Sequence, residues 1–150
     1  MSSRRRDGCS GSYPARGRSR IAFLATSGSA VETVLPDGSQ PIAVATAPRF
    51  AGGLAWSQDG RVAWLEQSVG GSLSPAVARS GHVSRFPLAP LRGPARGTGL
   101  AWSPDGTRLA FTAVDRSLVG DVWTVAADGT GLARVTHGLG AIGPLSWVTG

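Results

Sequence analysis

The segment Gly53-Leu54-Ala55-Trp56-Ser57-Gln58-Asp59-Gly60 returns as Gly99-Leu100-Ala101-Trp102-Ser103-Pro104-Asp105-Gly106, identical at seven of eight positions and displaced by 46 residues. A chain that repeats at such a period must build like units that pack on one another, because one unit of that size cannot bury its own apolar face. A degenerate third copy, Pro144-Leu145-Ser146-Trp147, lies 45 residues beyond the second. The first two copies lead into a second pattern, Arg61-Val62-Ala63-Trp64 and Arg108-Leu109-Ala110-Phe111, whose third instance is Arg20-Ile21-Ala22-Phe23. A third match joins Val31-Glu32-Thr33-Val34-Leu35-Pro36-Asp37-Gly38 to Val122-Trp123-Thr124-Val125-Ala126-Ala127-Asp128-Gly129, 91 residues or two periods apart.

Each pattern reads as strand, turn, strand. In Ser103-Pro104-Asp105-Gly106, Pro presets φ at the second turn position, Ser suits the first, and Gly at the fourth tolerates positive φ. Leu100 and Trp102 share one face of a strand around Ala101, and Leu109 and Phe111 do the same around Ala110. Asp128-Gly129 marks a further hairpin, and Asp37, Asp59, Asp105 and Asp128 all fall at turn positions, where a carboxylate can accept from backbone amides. A unit of about 40 to 45 residues with four short strands is the signature of a β-propeller blade. The predicted fold is therefore all-β, a partial β-propeller of about three four-stranded antiparallel blades. Blade one spans about 20–52 and begins with its second strand, blade two spans about 53–98, blade three spans about 99–139, and a spare first strand falls at about 144–148. Composition agrees: 22 Gly and 10 Pro leave 107–119 as the longest stretch after residue 20 free of both, which excludes a helical bundle. No run approaches the roughly 18 consecutive apolar residues of a membrane-spanning helix.

Trp56, Trp102 and Trp147 are expected to lie between adjacent blades. Burying an indole removes about 200 Å² from water, up to ~5 kcal/mol at about 25 cal/mol/Å². With Asp59, Gly60, Pro104, Asp105, Gly106, Asp128 and Gly129 they form the expected structural repeat set, a packing role and not a ligand site.

The run Trp-Ser-Pro-Asp-Gly-Thr-Arg-Leu-Ala-Phe at 102–111, followed by Asp121-Val122-Trp123 and Ala127-Asp128-Gly129-Thr130, resembles the WD-like propeller repeat of the TolB family. The resemblance is most specific over 99–137, weaker over 53–64 and 20–46, and absent from 1–19. It implies a propeller, a habit of binding protein partners, and the cell envelope as compartment. It also admits a second reading, the substrate-gating propeller of a prolyl-oligopeptidase-type peptidase without its hydrolase domain.

The net charge of +6 is a property of one end. Six Arg against Asp7 give residues 1–20 a charge of +5, and the nine Arg and eight acids beyond leave only +1. All fifteen basic residues are Arg, and the chain has neither Lys nor Asn, a pattern of nucleotide composition more than of phosphate binding. Residues 1–19 are expected to be a disordered Arg-rich tail, and nucleic acid is not the expected partner. Cys9 is the lone cysteine, which excludes an internal disulfide, and no apolar run precedes it as a lipoprotein signal requires. The apolar run 21–25 is short for a signal peptide and reads better as a repeat strand.

Chemistry is sparse. His82 and His137 have no Cys, Asp or Glu at ligand spacing, so no metal is expected. Gly138-Leu139-Gly140-Ala141-Ile142-Gly143 matches a dinucleotide fingerprint in letters, but Pro144 blocks the helix that such a site needs. Gly8-Cys9-Ser10-Gly11-Ser12 is not a nucleophile elbow. The expected function is thus a non-enzymatic protein-interaction scaffold without cofactor, meeting its partner through rim loops such as 67–75 and 88–98. Three blades fall short of the usual 4 to 8. Two chains associating head to tail through their blade edges, or a fragment of a longer propeller, would each account for that.

Overall fold

A computed structural model describes residues 19–25, 29–46, 49–88, 91–93, 99–140 and 143–149, and among these there is no helix. The Arg-rich tail and Cys9 lie outside the described residues, as do parts of the 88–98 loop and of the Gly-rich 138–143 run. The strands are β1 (Ile21–Leu24), β2 (Ala30–Val34), β3 (Ile42–Thr46), β4 (Phe50–Trp56), β5 (Val62–Gln67), β6 (Leu73–Arg79), β7 (His82–Arg85), β8 (Leu100–Trp102), β9 (Arg108–Val114), β10 (Gly120–Ala126) and β11 (Ala133–Arg134). They form three antiparallel meanders, β1-β2-β3, β4-β5-β6-β7 and β8-β9-β10-β11, so each sheet is a run of sequential hairpins.

The repeated turn closes as its residues dictate. Gly106 N donates to Ser103 O at 2.8 Å with Gly106 at φ +69°, and Gly60 N donates to Ser57 O at 3.1 Å with Gly60 at φ +84°. Thr107 makes the second copy one residue longer: Ser103 N reaches Arg108 O where Ser57 N reaches Arg61 O. The pairings Trp56↔Val62 and Trp102↔Leu109 are therefore equivalent despite the insertion. On β6–β7, Ser80 at φ +49° and Gly81 at φ +81° make the two-residue turn whose twist suits a tight hairpin.

The two-residue period then assigns faces. Val62 and Trp64 join Ala76 and Ala78 against Val31 and Val44 of the first sheet. Ala63 and Leu65, pointing the other way, join Leu73 and Val77 against Leu109, Phe111 and Val125 of the third. β5 is buried on both faces because it lies sandwiched between two blades. One rule covers all three sheets. The positions of Ile21 and Phe23, of Val62 and Trp64, and of Leu109 and Phe111 face the preceding blade, and the intervening residues face the following one.

Three boundaries differ from expectation. The predicted break between 52 and 53 falls inside β4, which starts at Phe50 and accommodates Gly52 and Gly53 through register shifts at φ +143° and +58°. The outer strand expected over 132–136 is reduced to β11, with Thr136 tied instead to Asp121. Residues 144–149 form no ladder, since no strand lies beside them. The first sheet has three strands and begins at the second-strand position of its blade.

Candidate functional site

Of the three repeated indoles, Trp102 is the buried one, 8% exposed. Its ring lies against the second blade, Nε1 donates to Ala55 O at 3.2 Å, and the Arg61 guanidinium sits 4.4 Å from the ring centroid. Trp147 repeats that bond one blade on, donating from Nε1 to Ala101 O at 3.3 Å, although it is 38% exposed. Trp56 departs from the expectation of burial between blades: it is 39% exposed. Its side faces the first blade, and the inner strand whose carbonyl would accept its indole is the one that sheet lacks. The aromatic that plugs the interface between blades one and two is Trp64, fully buried, with Nε1 donating to Glu66 Oε1 at 2.7 Å. Its place in the Arg-Val-Ala-Trp pattern was the signal available in the sequence.

The turn aspartates act on their own backbones. Asp105 Oδ1 accepts from Thr107 N at 3.0 Å and from Ser103 Oγ at 2.5 Å, and these donors lower its pKa to about 2. Asp128 accepts from Thr130 N at 2.9 Å and Asp37 from Ser39 N at 2.9 Å, and in each the neighbouring hydroxyl and amide lower the carboxyl's pKa. Burial works against ionisation of Asp59, yet the bonds from Ser57 and Arg61 outweigh it and leave its pKa lowered. Gly129, at φ +88°, also makes room: a Cβ there would meet Phe86 Cδ1 at 2.4 Å.

Two buried carboxylates with a positioning role escaped the sequence reading, because an isolated acid in an apolar strand carries no spacing signal. Asp121, on β10, is fully buried and collects Arg134 Nη2, Thr136 Oγ1 at 2.7 Å, Gly138 N at 3.1 Å and Leu139 N at 3.3 Å. Burial opposes its charge, and the bonds from Thr136, Gly138 and Arg134 prevail and hold it well below the carboxylate range. Glu66 is gripped by Arg85 at 2.8 Å, which also donates to Thr46 O at 2.8 Å and so ties blade two to blade one.

These contacts sort the surface into two ends. At one end lie the repeated turns, where Gln58, Asp59, Arg79, Pro104, Asp105 and Gly106 line a polar cleft of about 590 Å³. Asp59, Pro104, Asp105 and Gly106 of the expected repeat set meet there, Gly60 and Gly106 close the two turns, and Asp128 and Gly129 stand apart on the outer hairpin beside Phe86. Trp56, Trp102 and Trp147 line a separate groove along the first strands. At the opposite end the exposed tips are apolar: Val69 is 87% exposed, Leu118 78% and Leu139 73%. The 88–98 loop belongs to this end, but its described part is not free as expected. Leu88 and Leu91 are core residues, and Leu73 N→Leu91 O and Arg92 N→Val114 O clamp the loop across blades two and three. Among the described residues no three His, Cys, Asp or Glu side chains cluster as metal ligands would.

No family model and no curated protein matches the sequence. Solved structures do. TolB from Acinetobacter baumannii superposes with a TM-score of 0.59 at 18% identity over 79% of this chain and 29% of that one. A protein assigned as TolB from Agrobacterium tumefaciens gives 0.59 at 21% identity, over 79% and 42%. A fucose lectin from Kordia zhangzhouensis, solved with methyl-fucoside, gives 0.51 at 13% identity, over 79% and 90%. The chain spans well under half the length of the two TolB structures. Its architecture is that of a partial TolB-like β-propeller.

Proposed function

We propose that this chain is a non-enzymatic protein-interaction scaffold, with its contact surface on the apolar rim formed by Val69, Leu118 and Leu139. The observation that carries the reading is the pairing of exposed apolar tips with rigid supports. Asp115 holds the tip of the β9–β10 hairpin through Ser117 N at 2.8 Å and is bridged by Arg134 at 2.9 Å. Asp121 fixes Gly138 and Leu139 from beneath, and Ser68 Oγ accepts from Ser72 N at 3.1 Å below Val69. Pre-set apolar tips bind with little loss of freedom, which is how rigid blades make variable loops into a recognition surface. The likeness to TolB structures supports the fold of such a module. The polar cleft at the other end offers carboxylates already committed to their turns, so it supports no catalytic reading.

The test compares three immobilised chains: the native protein, Val69→Asp with Leu118→Asp, and Leu132→Asp at the opposite end as control. A partner held by the native chain and the control, and at least about tenfold more weakly by the rim variant, or ~1.4 kcal/mol, is the expected result. Equal retention by all three, with matching circular dichroism, would move the contact surface elsewhere.

A further inference from the structure

We infer that the chain closes a ring with a second copy of itself, residues 145–148 of each copy supplying the inner strand that β1 of the other lacks. Three observations converge on that strand. Among the described residues nothing pairs with β1 on the edge away from β2, although the equivalent edges of β5 and β9 pair with β4 and β8. Ile21 is consequently 52% exposed, whereas its equivalents Val62 and Leu109 are 1% and 0% exposed. Trp56, which faces the same gap, is left without the acceptor that Ala55 gives Trp102 and Ala101 gives Trp147.

The segment that fits the gap is already in place at the other end of the stack. Leu145-Ser146-Trp147 corresponds to Leu54-Ala55-Trp56 and Leu100-Ala101-Trp102. Its indole is bonded to blade three as a next blade's first strand would be. It also lies close against β8: a Cβ on Gly99 would stand 2.1 Å from Gly143 O and 2.9 Å from Leu145 Cγ. It therefore occupies the inner-strand seat of a following blade, with no second strand of that blade beside it. β1 is a second strand without a first.

Register follows from the other blades. Trp56↔Val62 and Leu54↔Trp64 in one, and Trp102↔Leu109 and Leu100↔Phe111 in the other, place Trp147 opposite the partner's Ile21 and Leu145 opposite the partner's Phe23. Ser146 then takes the position of Ala55 and Ala101, and its carbonyl accepts from the partner's Trp56 Nε1. Stoichiometry follows from the blade count. Two copies make six blades, inside the usual range of about 4 to 8, and three copies would make nine. This inference is independent of the rim, which lies at one end of the ring and not between copies.

Sedimentation velocity on the full chain over a dilution series is the first test. A particle of twice the 15.3 kDa chain is expected, and a monomer throughout, or open-ended larger species, overturns the two-copy ring. Register is tested by mixing a Phe23→Cys chain with a Leu145→Cys chain, each carrying Cys9→Ser. Opposed residues of an antiparallel pair have Cα atoms about 4.5 to 5.5 Å apart, within disulfide reach. A covalent pair that forms here and not with Val148→Cys supports the strand exchange. Equal or absent cross-linking in the two mixtures, with each chain showing native circular dichroism, overturns it.

Discussion

At the scale of single residues, one indole position has two environments. Trp102 is enclosed between blades and anchored to Ala55 O, so Trp102→Ala should cost about 3 to 5 kcal/mol in urea unfolding, the usual price of emptying a large core site. Trp56, 39% exposed in the single chain, should cost clearly less under conditions where the chain is monomeric, and the gap should narrow when it is assembled. The turn carboxylates set the acid limit. Asp105 has a folded pKa of about 2 against an ordinary 3.8, so its ionised form stabilises the fold above the ordinary value, and that contribution disappears as pH falls towards 2. Paired thermal melts of native protein and Asp105→Asn should therefore differ at neutral pH and converge between about pH 4 and 2.

At the scale of elements, what matters is how a strand is held once formed. The 134–139 connection has almost no ladder of its own and depends on Asp121 beneath it. Asp121→Asn should leave the sheets intact and raise amide exchange at Gly138 and Leu139, read by deuterium uptake. The inner-strand segment around Leu145 depends on an absent side chain. Gly99→Ala would drive a methyl into the backbone carbonyl of Gly143, which has no rotamer to yield, so the segment should lift off blade three. Loss of the buried component of Trp147 fluorescence would report that release. Gly129→Ala carries a double burden, a positive φ and the ring of Phe86, and should destabilise the outer hairpin.

At the scale of the whole molecule, a stack of three blades has two end faces, and each here is half of an interface. A ring built from two copies makes folding and association one equilibrium, so the melting temperature should rise with protein concentration. Ile21→Asp should abolish that dependence while leaving far-ultraviolet circular dichroism unchanged in shape. The two ends of the axis also differ in chemistry. Turns rich in Asp and Arg face one way and apolar tips the other, so a partner and a second copy address different surfaces of one particle.

The repeat, the all-β class, the hairpin turns and the three-stranded start of blade one could be read from residue order, because period, turn chemistry and alternation are local and one-dimensional. Which aromatic fills which interface was not local. Trp56 and Trp102 sit in nearly identical octapeptides, and only the presence or absence of a neighbouring strand separates the exposed ring from the buried one. Likewise Asp121 and Glu66 look like stray acids in apolar strands until folding brings Arg134 and Arg85 to them, and Leu88 and Leu91 look like rim loop until they close over two blades. Local sequence wrote the blades; burial, which depends on what stands beside each blade, decided the rest.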